Sequence, residues 1–201
     1  MRVYTMGTFK DLYDIANEGV KTAPGRWAFA LTVGGAIGGV LSAIMGNTLG
    51  GTANWAVFGL AIGVSQLLIL PELRKEWFSW ILFSGIAWAV MGRFPAGSFM
   101  APAATGLMLG ILQGYIIHKH RKRAYLWIPA NIIAWVVGGA VGLVVAIQLT
   151  SAGLVGFDMI AGLASASLIG ALILWVALAN MPVNQSKDSA SMNKHDTQPV
   201  A

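Results

Sequence analysis

Two glutamines, Gln66 and Gln113, stand in stretches otherwise made of apolar residues, each shortly before a run of charge. An amide in hydrocarbon must find a partner, because an unpaired polar group there costs several kcal/mol. Ser84 and Asn131 lie at comparable depth on the runs that follow, and Trp88 and Trp135 lie four residues further on. Two kinds of chemistry fit this set. The first is a hydrogen bond between helices, with Ser84 or Asn131 answering a glutamine. The second is a site for a small neutral solute, lined by Gln66, Gln113, Trp88 and Trp135.

Other chemistry finds little support. Catalysis by a nucleophile needs an adjacent base, and Ser42, Ser84, Ser165 and Ser167 have none at their depth. No phosphate-binding glycine loop occurs. The chain contains no Cys, which removes disulfides and thiolate metal sites. His118 and His120 sit in the basic run His118-Lys119-His120-Arg121-Lys122-Arg123, with no acidic ligand expected nearby, so the run reads as a turn that touches anionic lipid. Asp158 reads as a charge at a helix N-terminus. No Asp, Glu, Lys or Arg falls well inside an apolar run, and proton relays are built from such residues. The expectation is therefore no enzyme, with no catalytic residue, no metal and no cofactor.

The elements that must position these residues follow from composition. The chain has 201 residues, 56% hydrophobic and 10% charged, against roughly 25% charged in a soluble domain. Six apolar runs approach the length of about 20 residues that a spanning helix needs: Trp27–Met45, Asn54–Leu70, Trp77–Gly92, Ala101–Ile117, Leu126–Leu149 and Leu154–Asn180. The fold expected is all-α, a six-helix transmembrane bundle. Three regions are expected: a cytoplasmic amphipathic arm over 1–25, the transmembrane domain over 26–180 and a disordered polar tail over 181–201. In the arm, Phe9, Leu12, Tyr13, Ala16 and Val20 recur at helical spacing over Thr8–Val20. Asp11, Asp14 and Glu18 stand where a leader's apolar core would be, so no cleaved leader is expected.

Charge sets the expected orientation. Arg74, Lys75, Lys119, Arg121, Lys122 and Arg123 fall in turns on the same side as both termini, whereas the opposite turns hold only Arg93. The positive-inside rule then puts both termini in the cytoplasm, for a multi-pass protein of the cytoplasmic membrane. The formal net charge of +5 thereby belongs to topology, and no nucleic-acid partner is expected. Trp27, Trp77, Trp80, Trp127 and Trp175 lie near the expected inner ends and read as an interfacial belt. Trp88 and Trp135 would sit about 12 Å deeper at 1.5 Å per residue.

The sequence also repeats itself. Shifted by 47 residues, Gly59–Gly92 lies on Gly106–Gly139 without a gap, and 14 of 34 positions are identical. Gln66 meets Gln113, Trp80 meets Trp127, Ser84 meets Asn131 and Trp88 meets Trp135. Weaker echoes, Trp27 with Gly39 and Gly162 with Ala166, extend the pattern to three similar helical hairpins, N-in and C-in. Gly-x-x-Gln, a basic turn and then a Trp pair resembles small bacterial multi-pass membrane proteins with repeated Gln-Trp-x-x-Leu-Arg hairpins. Leu67 and Gly114 depart from it where a Trp would follow Gln. The resemblance implies the hairpin architecture and no particular biochemistry.

Small residues four apart are dense, as in Gly35/Gly39, Gly106/Gly110 and Gly138/Gly142, and such spacing lets helices approach closely. Together these features favour a non-catalytic subunit or assembly factor of a membrane complex, contacting the lipid bilayer and either a membrane-protein partner or further copies of itself. The alternative is a passive channel or carrier for a small neutral solute or lipid, which requires Gln66 and Gln113 to face one water-accessible cavity.

Overall fold

The structure is a computed structural model that describes residues 23–95 and 98–184, with backbone alone for residues 23 and 46–50. The expected amphipathic helix over Thr8–Val20 and the tail from residue 185 onward lie outside the described residues. Helical backbone runs from Ala23 to Ile69, but its two halves lie side by side. Ser42 donates to the carbonyl of Asn54 at 2.9 Å, and a Cβ on Gly34 would come within 2.5 Å of Ser65 Oγ. The chain therefore doubles back, giving α1 (Pro24–Met45) and α2 (Gly51–Ile69). Four helices follow: α3 (Trp77–Ala89), α4 (Met100–His120), α5 (Trp127–Ser151) and α6 (Phe157–Ala179).

Of the six helices among the described residues, five are long and apolar enough to cross a membrane. The exception is α3, with 13 residues. The expected run Trp77–Gly92 is helical throughout but not uniformly α: Val90–Arg93 tightens into a 3-10 turn. That turn rises faster, about 2.0 Å per residue against 1.5 Å, so the two pieces together reach roughly 28 Å. Gly92 accounts for the closeness of this end to its neighbour, since a Cβ there would lie 2.5 Å from the Thr52 Cα.

Each helix packs against the next in sequence, and α6 returns to α1, where Gly39 approaches Ile160 and Leu163. The six helices thus close on themselves. Close approach is bought with glycine: a Cβ on Gly59 would lie 2.5 Å from the Ser84 carbonyl, and one on Gly106, its repeat counterpart, 2.6 Å from that of Asn131. The apolar residues divide between two surfaces. Trp27, Leu31, Phe58, Trp80 and Trp127 fill the interior, while Phe29, Ile44, Leu68, Val144 and Val176 are exposed on the outside. A helix apolar all round belongs in hydrocarbon, where an outer face needs no polar clothing.

One end of the bundle is basic. Its turns are the 3-10 helix Pro71–Glu76 and the stretch from Arg121 to the 3-10 turn Ala124–Leu126. Arg121 donates to Glu72 at 2.6 and 3.1 Å and to the carbonyls of Leu178 and Met181 at 3.2 and 3.0 Å. Lys119 pairs with Glu76 at 3.1 Å. The expectation that no acidic residue approaches the basic run is corrected by these pairs: the Pro71–Glu76 turn carries two carboxylates to it. A guanidinium can fork to a carboxylate and to carbonyls at a helix C-terminus together. Residues 181–184 are also held there, with Lys122 N–H bonded to Pro182 O at 2.9 Å and Asn184 N–H to His120 O at 2.8 Å.

Candidate functional site: a buried glutamine and tryptophan core

Positions 80, 84 and 88 recur every four residues on α3, and 127, 131 and 135 do the same on α5. Such spacing puts each set on one helix face. Both faces turn inward, and Trp80, Ser84, Trp88, Trp127, Asn131 and Trp135 are all buried. On α2, Phe58, Ile62 and Gln66 form the matching stripe, and on α4 Leu109 and Gln113 do so. The result is two layers, one polar and aromatic toward the basic end, one aromatic further from it.

In the first layer, Gln113 Nε2 donates to Gln66 Oε1 at 3.0 Å and to Ser84 Oγ at 2.9 Å. Gln113 Oε1 accepts the indole N–H of Trp127 at 3.2 Å. Gln66 Oε1 also accepts the indole N–H of Trp80 at 3.0 Å. Both lone pairs of Gln66 Oε1 and both hydrogens of the Gln113 amide are therefore used. The amide orientations are fixed by this arrangement, because an –NH2 of Gln66 could not face two N–H donors. Ser84 hands its own proton to the Trp80 carbonyl at 2.8 Å, which leaves its oxygen free to accept. Four helices, α2, α3, α4 and α5, are tied together through two glutamines.

The second layer is made of rings. Trp88 meets Trp135 edge to face, with centroids 4.7 Å apart and planes at 84°. Phe58 meets Trp88 in the same manner at 4.5 Å, and Trp55 stacks on Trp88 at 5.8 Å. Each such pair contributes about 0.5–1.5 kcal/mol beyond the area it buries. The indole N–H groups of Trp88 and Trp135, and of Trp27, are buried and have no partner among the described residues.

The sequence-expected residues thus separate. Gln66, Gln113 and Ser84 come together by direct hydrogen bonds. Asn131 does not join them: it bonds the Trp127 carbonyl on its own helix at 2.9 Å, and its Oδ1 is unpaired among the described residues. Trp88 and Trp135 meet each other and form the adjoining layer. None of Gln66, Gln113, Trp88 or Trp135 lines the cavities beside Trp175, Leu163 and Leu68. Gln66 is 1% exposed and Gln113 0%.

Sequence reasoning missed Trp80 and Trp127 as donors and set them, with Trp27, in an interfacial belt. All three are fully buried, whereas Trp77 is 56% exposed. An indole suits an interface and an interior equally, provided that its N–H finds an acceptor. The signal was present in spacing: each donor lies 14 residues after its glutamine.

Set against family models, curated proteins and solved structures, the chain matches none of them. Among the described residues no group of three or more His, Cys, Asp or Glu side chains could hold a metal ion.

Proposed function

We propose that this chain is a non-catalytic subunit or assembly factor of a membrane complex. It lies in the cytoplasmic membrane as three similar hairpins with both termini in the cytoplasm, and its basic end faces inward. The observation that carries this reading is the closure of the Gln66–Gln113 contact. Gln66, Gln113 and Ser84 hold helices to one another, and rings fill the layer beyond them. What such a bundle offers to other molecules is its apolar outer surface, where Phe29, Leu68 and Val176 are exposed. The 47-residue repeat supports the hairpin description, because repeat-related residues meet across the interior: Gln66 with Gln113, and Trp88 with Trp135.

The carrier reading loses ground on the same observation. It needs the two glutamines on one water-accessible cavity, and both are buried in helix contacts. Native mass spectrometry of the protein, gently extracted from its own membrane, tests the choice. A second protein at fixed stoichiometry, or a defined oligomer, is the expected result. A lone chain that retains only a small polar solute would overturn the subunit reading.

A further inference from the structure

The repeat makes one place in the bundle stand out. Shifted by 47 residues, Trp55 falls on Pro102. Trp55 stacks on Trp88 and fills the space beside it at the end of the bundle that carries Arg93. Pro102 is too small to do the same beside Trp135. A half-open cavity of about 430 Å3 lies at this end, bounded by Trp55, Pro102, Gly139, Leu143, Met159 and Leu163 among others. That volume is within the range of about 300–1,000 Å3 usual for small-molecule sites.

The smallness of Gly139 serves the cavity and not a helix contact. Its repeat counterpart Gly92 presses on the Thr52 backbone. A Cβ on Gly139, by contrast, would meet only Pro102, at 3.5 Å, which is ordinary contact. Among the described residues, no charged side chain lines the cavity. Water gains few hydrogen bonds in such a space, and apolar cavities that stay empty forfeit dispersion contacts. The wall residues Phe99, Leu143 and Met159 are also exposed, at 66%, 44% and 38%, so the cavity opens through the apolar surface. Arg93 stands between two wall residues, Gly92 and Phe94, is exposed, and is the only Lys or Arg at this end among the described residues.

We infer that this cavity holds one acyl chain of a phospholipid from the surrounding leaflet, with the lipid phosphate against Arg93. The apolar walls select hydrocarbon, the apolar rim gives entry from the bilayer, and the exposed cation between the wall residues Gly92 and Phe94 selects an anionic headgroup. The inference is independent of whether the bundle serves as a subunit.

The test uses the full chain in vesicles that contain a phosphatidylglycerol with a photoreactive diazirine near the end of one acyl chain. Labelled peptides are then mapped. Labelling should concentrate on the stretches holding Gly139–Ala146 and Met159–Ala166. Gly139→Leu and Pro102→Trp should each lose most of it, while labelling of the outer face at Leu68 and Ile133 stays unchanged, which also reports that the variants are folded. Arg93→Gln should lower cavity labelling by the phospholipid and leave labelling by a diacylglycerol with the same chain unaltered. Labelling spread evenly over the outward helix faces of the unsubstituted protein would overturn the inference, whatever the variants do. So would cavity labelling that persists in both filled variants. Equal labelling by phospholipid and diacylglycerol, unaffected by Arg93→Gln, would remove the headgroup contact.

Discussion

Gln66 and Gln113 stand one repeat length apart in the chain and bond directly to each other, Gln113 Nε2 to Gln66 Oε1 at 3.0 Å. Repetition of a sequence element usually places like residues in like surroundings, well apart. Here the copies face inward and meet. An amide is suited to such a meeting, because it carries donors and an acceptor in one group and can bond to a copy of itself.

Replacing Gln113 by Leu removes three bonds at once, to Gln66, Ser84 and Trp127. The Trp127 N–H is then buried without a partner. The expected loss is about 1–3 kcal/mol, the usual penalty of an orphaned buried group. Gln66→Leu should cost a comparable amount, and the double variant clearly less than the sum. Coupling of about 0.5–1.7 kcal/mol is expected for a bond within a membrane bundle. Unfolding in mixed micelles, followed by circular dichroism, measures all three. Strict additivity would mean that the two amides do not interact.

Trp80 and Trp27 offer a matched comparison. Both are fully buried indoles in one apolar cluster. Trp80 donates to Gln66, whereas the Trp27 N–H has no partner among the described residues. Trp80→Phe and Trp27→Phe remove the same volume, but only the first breaks a hydrogen bond. Trp80→Phe should be the more destabilising by about 1 kcal/mol in the same unfolding assay. Equal losses would count against a role for the indole N–H of Trp80.

Arg121 holds the basic end together through Glu72 and the carbonyls of Leu178 and Met181. Lysine keeps the charge but lacks the planar fork that reaches these acceptors together. Arg121→Lys should therefore speed hydrogen exchange at the end of α6 and over residues 181–184. Lys119→Gln, which breaks the more exposed pair with Glu76, should change exchange there little, as exposed ion pairs contribute about 0–1 kcal/mol. Equal effects of the two substitutions would remove Arg121 from this role.

Much of the fold was legible in the sequence because a spanning helix is written as an unbroken apolar run. The fourth run, expected over Ala101–Ile117, lies within the helix Met100–His120, with only the ends displaced. The 3-10 finish of α3 was not legible, because it depends on the Gly92–Thr52 approach and not on local preference. At the site, Gln66, Gln113 and Ser84 could be named from the cost of burying an amide. Asn131 could not be separated from Ser84, since both bond the carbonyl four residues back and only the local reach of each side chain decides what remains. The burial of Trp80 and Trp127 was hidden by the double aptitude of indole, and the Arg121–Glu72 pair by the need to know how two turns lie side by side.

The core around Ser84 and Gln113 is closed to water, and the absence of cysteine from the chain permits a direct test. Single cysteines at Ser84, at Gln113 and, as an exposed reference, at Val155 would be treated with a membrane-impermeant maleimide in sealed membranes of each orientation. Val155 is 74% exposed and Ser84 0%. Val155→Cys should be labelled from one side, and neither Ser84→Cys nor Gln113→Cys from either side until the protein is unfolded. Ready labelling of Ser84→Cys in the folded protein, from either side, would contradict a closed core and restore a water-filled path through the bundle.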